Sequence, residues 1–123
     1  MAVLRVRRLA ADVVTQAAEK VVIDGLAFVY SIAFTCPAGY RAIVRDIQLS
    51  TTLGVEGQVS IVTVAVSGGK EIRILGGSLP AGESTLNWAG QVVLEAGDTM
   101  IVYTHLTDLH YYISGAQVSL QGP

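Results

Sequence analysis

The chain has little charge, few aromatic residues and a single cysteine. Charged side chains make up 15% of its 123 residues, against about 25% in an average soluble domain. Hydrophobic residues reach 51%, although aromatic ones account for only 7%. So few ionic groups are poorly suited to covering the whole surface of a free-standing protein. We therefore expect part of the surface to be covered by other subunits.

Disulfides, membrane-spanning helices and a secretion signal are all disfavoured by what the sequence lacks. The lone cysteine, Cys36, excludes an internal disulfide. No run approaches the roughly 18 uninterrupted apolar residues of a spanning helix, so no membrane partner is predicted. Arginines near the start resemble a signal peptide, but Asp12 and Glu19 break the apolar stretch that such a peptide requires.

Charge is distributed unevenly along the chain. The net charge is −2, yet the first residues carry Arg5, Arg7 and Arg8 without any acid. We interpret residues 1–25 as an extended basic N-terminal arm that docks on an acidic protein neighbour, because arginine pairs well with carboxylates. Nucleic acid is not predicted as a partner, because no basic body and no interleaved aromatics accompany these arginines. A helical turn within residues 10–22 and an extended conformation are both left open.

From residue 26 onward the sequence is typical of strands separated by tight turns. Large and small side chains alternate over residues 26–35, which predicts a strand with its large residues facing the core. Pro37-Ala38-Gly39 and Glu95-Ala96-Gly97 are typical turn sequences. Comparable patterns predict strands near 41–53, 58–66, 71–75, 86–94, 99–105 and 109–120. The sequence therefore predicts an all-β domain over residues 26–123, a single antiparallel β-sandwich that is jelly-roll-like with about eight strands.

The sequence predicts a bend or bulge within two of the strands. Gly90 lies between residues of one parity and is expected to mark a bend or bulge. In the last strand, the apolar residues change parity at Ser114-Gly115. A bulge there would bring Ala116 and Val118 onto the inward face.

The strand over residues 58–66 is apolar on both faces. Ile61 lies on one side, and Val62, Val64 and Val66 lie on the other. A sandwich strand with a solvated outer face should alternate, so the second apolar face indicates either a third layer or a subunit interface. We favour the interface in so small a domain.

Residues that carry chemistry form no convincing catalytic or metal site. His105, Asp108 and His110 fall near a predicted turn and are the best candidates for a metal site. Asp108 is also an ordinary turn residue. Cys36 beside a histidine could form a nucleophile–base pair, but a buried structural thiol explains it better.

The other polar and aromatic candidates also have structural explanations. Glu95 and Asp98 flank a turn, where solvated acids are common, so the paired carboxylates of a glycosidase are not predicted. The glycine pairs lack the setting of a phosphate-binding loop. Trp88 and Tyr111 share the parity of core residues, whereas Tyr112 is the preferred exposed aromatic. We therefore expect no enzyme activity and no cofactor, and we interpret Tyr112 as a subunit contact rather than a sugar platform.

Three segments carry a family resemblance. They are residues 37–47, where Pro-Ala-Gly leads into YRAIVRDI, residues 86–98 (LNWAGQVVLEAGD) and residues 113–116 (ISGA). Over roughly residues 26–120 the chain resembles small β-sandwich virion proteins of tailed bacteriophages. The resemblance implies a structural protein located in the virion, with the major capsid protein or other virion proteins as partners. It carries no catalytic residues.

The leading hypothesis is a capsid decoration or cement subunit that stabilises the phage head by bridging capsid proteins. A homo-oligomer is expected, with a trimer as the guessed state. A tail or head–tail accessory subunit is the first alternative, and a glycan-binding adsorption module is the second. The candidate partner contacts are Arg5, Arg7, Arg8, Val62, Val64, Val66 and Tyr112.

Overall fold

Nine β-strands make up the described part of the chain. The computed structural model describes residues 4–15, 20–23, 25–51, 59–66, 69–78, 85–105 and 108–120, with the backbone alone for residues 4–7, 20, 59, 77 and 78. The strands are β1 (Leu4–Val14), β2 (Lys20–Ile23), β3 (Leu26–Thr35), β4 (Tyr40–Ser50), β5 (Val59–Ala65), β6 (Glu71–Ser78), β7 (Thr85–Leu94), β8 (Thr99–Thr104) and β9 (Leu109–Ser119). No described residue belongs to a helix, so none of these residues forms a helix that could cross a membrane.

The strands form two antiparallel sheets with jelly-roll topology. Sheet I has the order β1-β9-β4-β7, and sheet II has the order β2-β3-β8-β5-β6. When the short β2 is left out, the first of the remaining eight strands pairs with the last, and the second pairs with the seventh. This is the strand order of a double Greek key. The predicted antiparallel β-sandwich of jelly-roll type is confirmed.

The main core lies between the two sheets. Its fully buried members come from both sheets and are apolar. The largest of them are Ile47, Leu49, Leu94, Met100, Leu109 and Ile113. Fully burying one such side chain contributes about 1.5–3 kcal/mol, so this layer supplies most of the driving force for folding.

Residues 4–14, which fall within the predicted N-terminal arm of residues 1–25, form a strand of the sandwich. Strand β1 pairs with β9 from Leu4↔Val118 to Val14↔Leu109. Val14 is buried in the main core at 1% exposure. This part of the predicted arm is therefore an edge strand of sheet I rather than a separate docking segment. Residues 10–14 and 20–23 are strands, so the helical alternative is wrong there.

The last strand, β9, was predicted to contain a bulge at its parity change, but the register shifts lie in its two neighbouring strands, β1 and β4. Strand β4 shifts register at Arg45, opposite the Ser114-Gly115 step, and β1 shifts register at Leu9, opposite the neighbouring Ile113-Ser114 step. Strand β9 itself continues without an extra residue, so Gly115 keeps the core-facing parity. The expectation that Ala116 and Val118 turn inward is therefore wrong, because they pair beside residues of the outer face.

Gly90 lies in a bulge, as predicted. Between Asp46↔Ala89 and Val44↔Val92, strand β7 inserts Gly90 and Gln91 where β4 inserts a single residue. A Cβ atom at Gly90 would lie 2.7 Å from the ring of Trp88. The absence of a side chain therefore lets the indole of Trp88 pack beside this bend.

Strand β3 turns its large residues outward, contrary to the prediction. Val29 is buried in the main core at 1% exposure, whereas Ile32 on the opposite face is 61% exposed. A register shift between Ile32 and Phe34 then returns Phe34 to the main core. The alternation was correctly recognised, but the size of the side chains did not identify the inward face.

A second, smaller apolar cluster explains part of this reversal. Phe28, Ile61 and Tyr103 are buried on the outer face of sheet II, where Val21 and Ile23 of β2 pack against them. Ile61 on the outer face of β5 is therefore buried within the single chain, against side chains of other strands of the same sheet. Its burial does not require the subunit interface that the sequence favoured, and no third layer is formed by the described strands.

Candidate functional site

Two of the Ala-Gly turns lie side by side and account for the candidate carboxylates. The amide of Cys36 donates to the carbonyl of Asp98 at 2.9 Å, and the amide of Gly97 donates to the carbonyl of Cys36 at 2.9 Å. The Asp98 carboxylate accepts from the amide of Glu95 at 2.9 Å. The Glu95 carboxylate forms an ion pair with Arg41 at 3.1 Å. Both acids therefore have structural partners at the turn, but Asp98 is buried at 7% exposure rather than solvated as the sequence predicted.

Cys36 has the environment of a structural thiol. It is 1% exposed, and its Sγ lies 3.4 Å from the carbonyl oxygen of Tyr40, to which it donates. Burial raises the pKa of the Cys36 thiol, and the negative charges of Asp98 and Glu95 raise it further. A nucleophilic cysteine needs the opposite, a stabilised thiolate.

The three candidate metal ligands are not brought together. His105 is buried at 8% exposure, with its ring centroid 5.1 Å from that of Phe28. His110 is exposed on β9, and β8 and β9 belong to different sheets rather than to one hairpin. Among the residues that the structure describes, no three His, Cys, Asp or Glu side chains converge as a metal site would require.

The candidate partner contacts fall into separate environments. Val62 and Val64 are core residues at 0% and 4% exposure, and Val66 packs partly buried against the same core. The first two therefore cannot touch a partner, because they occupy the inward face of β5. Arg8 and Tyr112 are exposed, as expected of contacts. The side chains of residues 5 and 7 lie outside the described part of the chain.

The exposed large hydrophobic side chains divide between the two sheets. Sheet II carries four aliphatic ones: Val22 (75% exposed), Leu26 (42%), Ile32 (61%) and Ile72 (52%). Ile32 is directly opposite Ile101 of β8, and both lie on the outer face of the sheet. We name Leu26, Tyr30, Ile32 and Ile101 the sheet II patch. Sequence analysis missed this patch because it assigned Ile32 to the core.

A polar cluster lies beside the patch on the same face. The hydroxyls of Tyr103 and Thr63 both donate to the Glu71 carboxylate. These residues line a small depression of about 280 Å³ together with Ile23 of β2 and Arg73 of β6. Burial, together with the hydrogen bond to the Glu71 carboxylate, raises the pKa of Tyr103 to about 12.

The raised pKa of Tyr103 predicts a loss of stability in alkali. The folded-state pKa lies above the ordinary value of 10. The contribution of protonated Tyr103 to the free energy of unfolding is therefore complete below about pH 10 and is lost as the pH rises through about 12. We expect the unfolding free energy of the natural protein to fall by up to about 2 kcal/mol across this range relative to Tyr103→Phe. Urea unfolding of both proteins at several pH values measures this difference. Parallel pH profiles would contradict it.

The outer face of sheet I carries two adjoining open grooves. One of about 820 Å³ and one of about 530 Å³ share a single wall residue, Tyr112. Tyr112 is 42% exposed. The predicted exposure of Tyr112 is thus confirmed, and its position between two grooves is a feature that the sequence did not indicate.

The chain has little similarity to known protein families, curated proteins or solved structures. No protein-family model matches the chain, and no curated protein matches it. A solved structure, that of infectious bursal disease virus strain Gx, contains a chain that is similar with 9% sequence identity and a TM-score of 0.33. The alignment covers 96% of this chain and 40% of that chain. A similarity at this level does not establish a shared fold or function.

Proposed function

We propose that the chain is a non-enzymatic structural subunit of a virus particle. The observation that carries this proposal is the sheet II patch, where Ile32 is 61% exposed on the outer face of the sheet. Removing an isoleucine side chain fully from water contributes about 1.5–3 kcal/mol of stabilisation. An isolated chain gains only part of this stabilisation at Ile32. An apolar surface of this kind on a chain with only 15% charged residues is typical of a protein whose surface is covered in an assembly.

The occupant of the sheet II patch is proposed to be a second copy of this chain. The chain's own β2 packs against the cluster of Phe28 and Ile61 but pairs only with residues 26–29 of β3. Ile32 lies further along β3 and is 61% exposed, whereas its cross-strand neighbour Ile101 is only partly buried against the same cluster. The patch contains no charged residue, so patches on neighbouring copies can pack together around a symmetry axis without burying a charge. A cyclic homo-oligomer, with three copies as the working number, buries it.

Within this class we propose a capsid decoration or cement subunit, with the major capsid protein as its partner. The resemblance to small phage virion proteins supports this finer assignment. A subunit that binds only the assembled shell stabilises that shell through its own binding free energy, by mass action. A tail or head–tail accessory subunit remains the alternative assignment. The proposed location is the virion.

The number of copies in purified particles tests the assignment. A decoration subunit is expected on the order of hundreds of copies per particle, whereas a neck or tail subunit is expected at about a dozen or fewer. Quantitative mass spectrometry of purified particles, referenced to the major capsid protein, measures this ratio. Particles that lack the chain entirely would refute the structural role.

A further inference from the structure

The two grooves on sheet I form a concave surface built over interior strands. The wider groove has a floor of small residues contributed by β7 and β9. They are Ala89, Gly90, Ser114, Gly115 and Ala116. The bulge at Arg45 and Gly90 bends the sheet here, so that larger side chains stand at the sides of the groove.

Three rows of side chains cross the outer face of sheet I. The rows follow the strand register and run across all four strands. They are Arg8–Ser114–Asp46–Ala89, Ala11–Tyr112–Gln48–Asn87 and Val13–His110–Ser50–Thr85. Alternate residues along a strand lie roughly 7 Å apart, and strands lie roughly 4.8 Å apart. The rows therefore cover an area of roughly 14 by 14 Å.

The middle row has the composition of a sugar-binding surface. Tyr112 offers an exposed aromatic ring, and apolar faces of sugar rings pack on such rings. Gln48 and Asn87 are exposed beside it in the same row. Each side-chain amide presents both a donor and an acceptor, which suits the hydroxyl groups of a sugar.

The wider groove also carries charge at one end. Arg8 and Arg45 line it together with Asp46. Arginine binds carboxylates through two parallel N–H groups, so this end favours a sugar that bears a carboxylate.

A peptide fits this surface less well. Extended peptides bind by adding a strand to a free sheet edge, where main-chain groups are available. The grooves lie over β9 and β4, whose main-chain groups pair with strands on both sides. Recognition here must therefore come from side chains, which combine the aromatic ring of Tyr112 with polar groups such as those of Gln48 and Asn87.

We propose that the outer face of sheet I binds an oligosaccharide, with a sugar ring stacked on Tyr112 and a carboxylated sugar at the arginine end. This inference does not depend on the structural role proposed above, because it concerns the opposite face of the sandwich. The two faces of the sandwich would then bind different partners. The sheet II patch packs against protein, and the sheet I grooves stay open to a ligand.

The test measures binding of the full chain to an array of oligosaccharides that includes oligogalacturonate and neutral oligogalactose. We expect binding to oligogalacturonate that Tyr112→Ala weakens about tenfold. Tyr112→Phe retains the ring and should bind within about twofold of the natural protein. Arg45→Gln should reduce the preference for oligogalacturonate over oligogalactose.

Tyr40 provides a matched control on the same chain. It is 38% exposed, close to the 42% of Tyr112, but it does not line either groove. Tyr40→Ala should leave sugar binding unchanged. No binding to any oligosaccharide of the array, or equal binding by Tyr112→Ala and the natural protein, would overturn the proposal. Binding of another protein at Tyr112, without any binding of sugar, would overturn the proposal as well. Incorporation of the variants into particles is a separate measurement, which tests the structural role and not the sugar site.

Discussion

Replacing Gly115 with alanine is expected to lower the free energy of unfolding by about 3 kcal/mol or more. A Cβ atom at this position would lie 1.9 Å from the carbonyl oxygen of Ile43 and 2.9 Å from its carbonyl carbon. Both atoms belong to the backbone of β4, so no side-chain rotation relieves the overlap. Strands β4 and β9 would have to separate, and they carry the buried Ile47 and Ile113.

Gly76→Ala provides the control for this substitution. A Cβ atom at Gly76 meets only the flexible side chain of Arg73, whose Cδ lies 3.0 Å away. Strand β6 is also an edge strand of sheet II. We expect a change of less than about 1 kcal/mol, since alanine usually costs nothing in a strand where it fits. Urea unfolding followed by the fluorescence of Trp88 compares the variants, and equal stability of the two would show that β4 and β9 tolerate a side chain at Gly115.

Replacing Ile32 with lysine is expected to dissociate the oligomer, weakening self-association about 100-fold or more. The substitution places a charge within the sheet II patch, where association would remove it from water without a partner. The isolated fold should lose little stability, because Ile32 is 61% exposed in the single chain. Sedimentation velocity over a range of concentrations measures the association.

Val93→Lys is the matched control for Ile32→Lys. Val93 is 45% exposed and lies on β7 of sheet I, away from the patch. It should leave association unchanged. If both variants associate like the natural protein, sheet II is not the interface. If both dissociate, the interface extends to sheet I.

The strands themselves could be predicted from the sequence because their signals are local. Alternation in residues 26–35 and the turn at Pro37-Ala38-Gly39 each depend on neighbouring residues alone. The inward face of β3 could not be predicted in the same way. Whether Phe28 or Val29 faces the main core depends on Ile61 and Tyr103, which are distant in sequence and bury Phe28 on the outer face.

The strand order and the bulges depend on long-range pairing. The parity change at Ser114-Gly115 was visible in the sequence, but the compensating residues are Leu9 and Arg45 in two other strands. No local pattern identifies them as partners of β9. Gly115 itself gives no sign in the sequence that a backbone carbonyl lies against it.

Of the candidate sugar site, only the exposure of Tyr112 could be predicted from the sequence. The parity of Tyr112 correctly indicated an exposed ring. Gln48 and Asn87 join it only because β4 lies between β9 and β7 in sheet I. A site assembled from one residue per strand has no sequence motif.

An electron cryo-microscopy map of intact particles tests the central claim most directly. We expect each copy to pack its sheet II patch, with Ile32 at the contact, against a neighbouring copy, while Tyr112 faces open solvent. A map in which Ile32 and Ile101 face water on every copy, or in which the chain has no place in the particle, would contradict it.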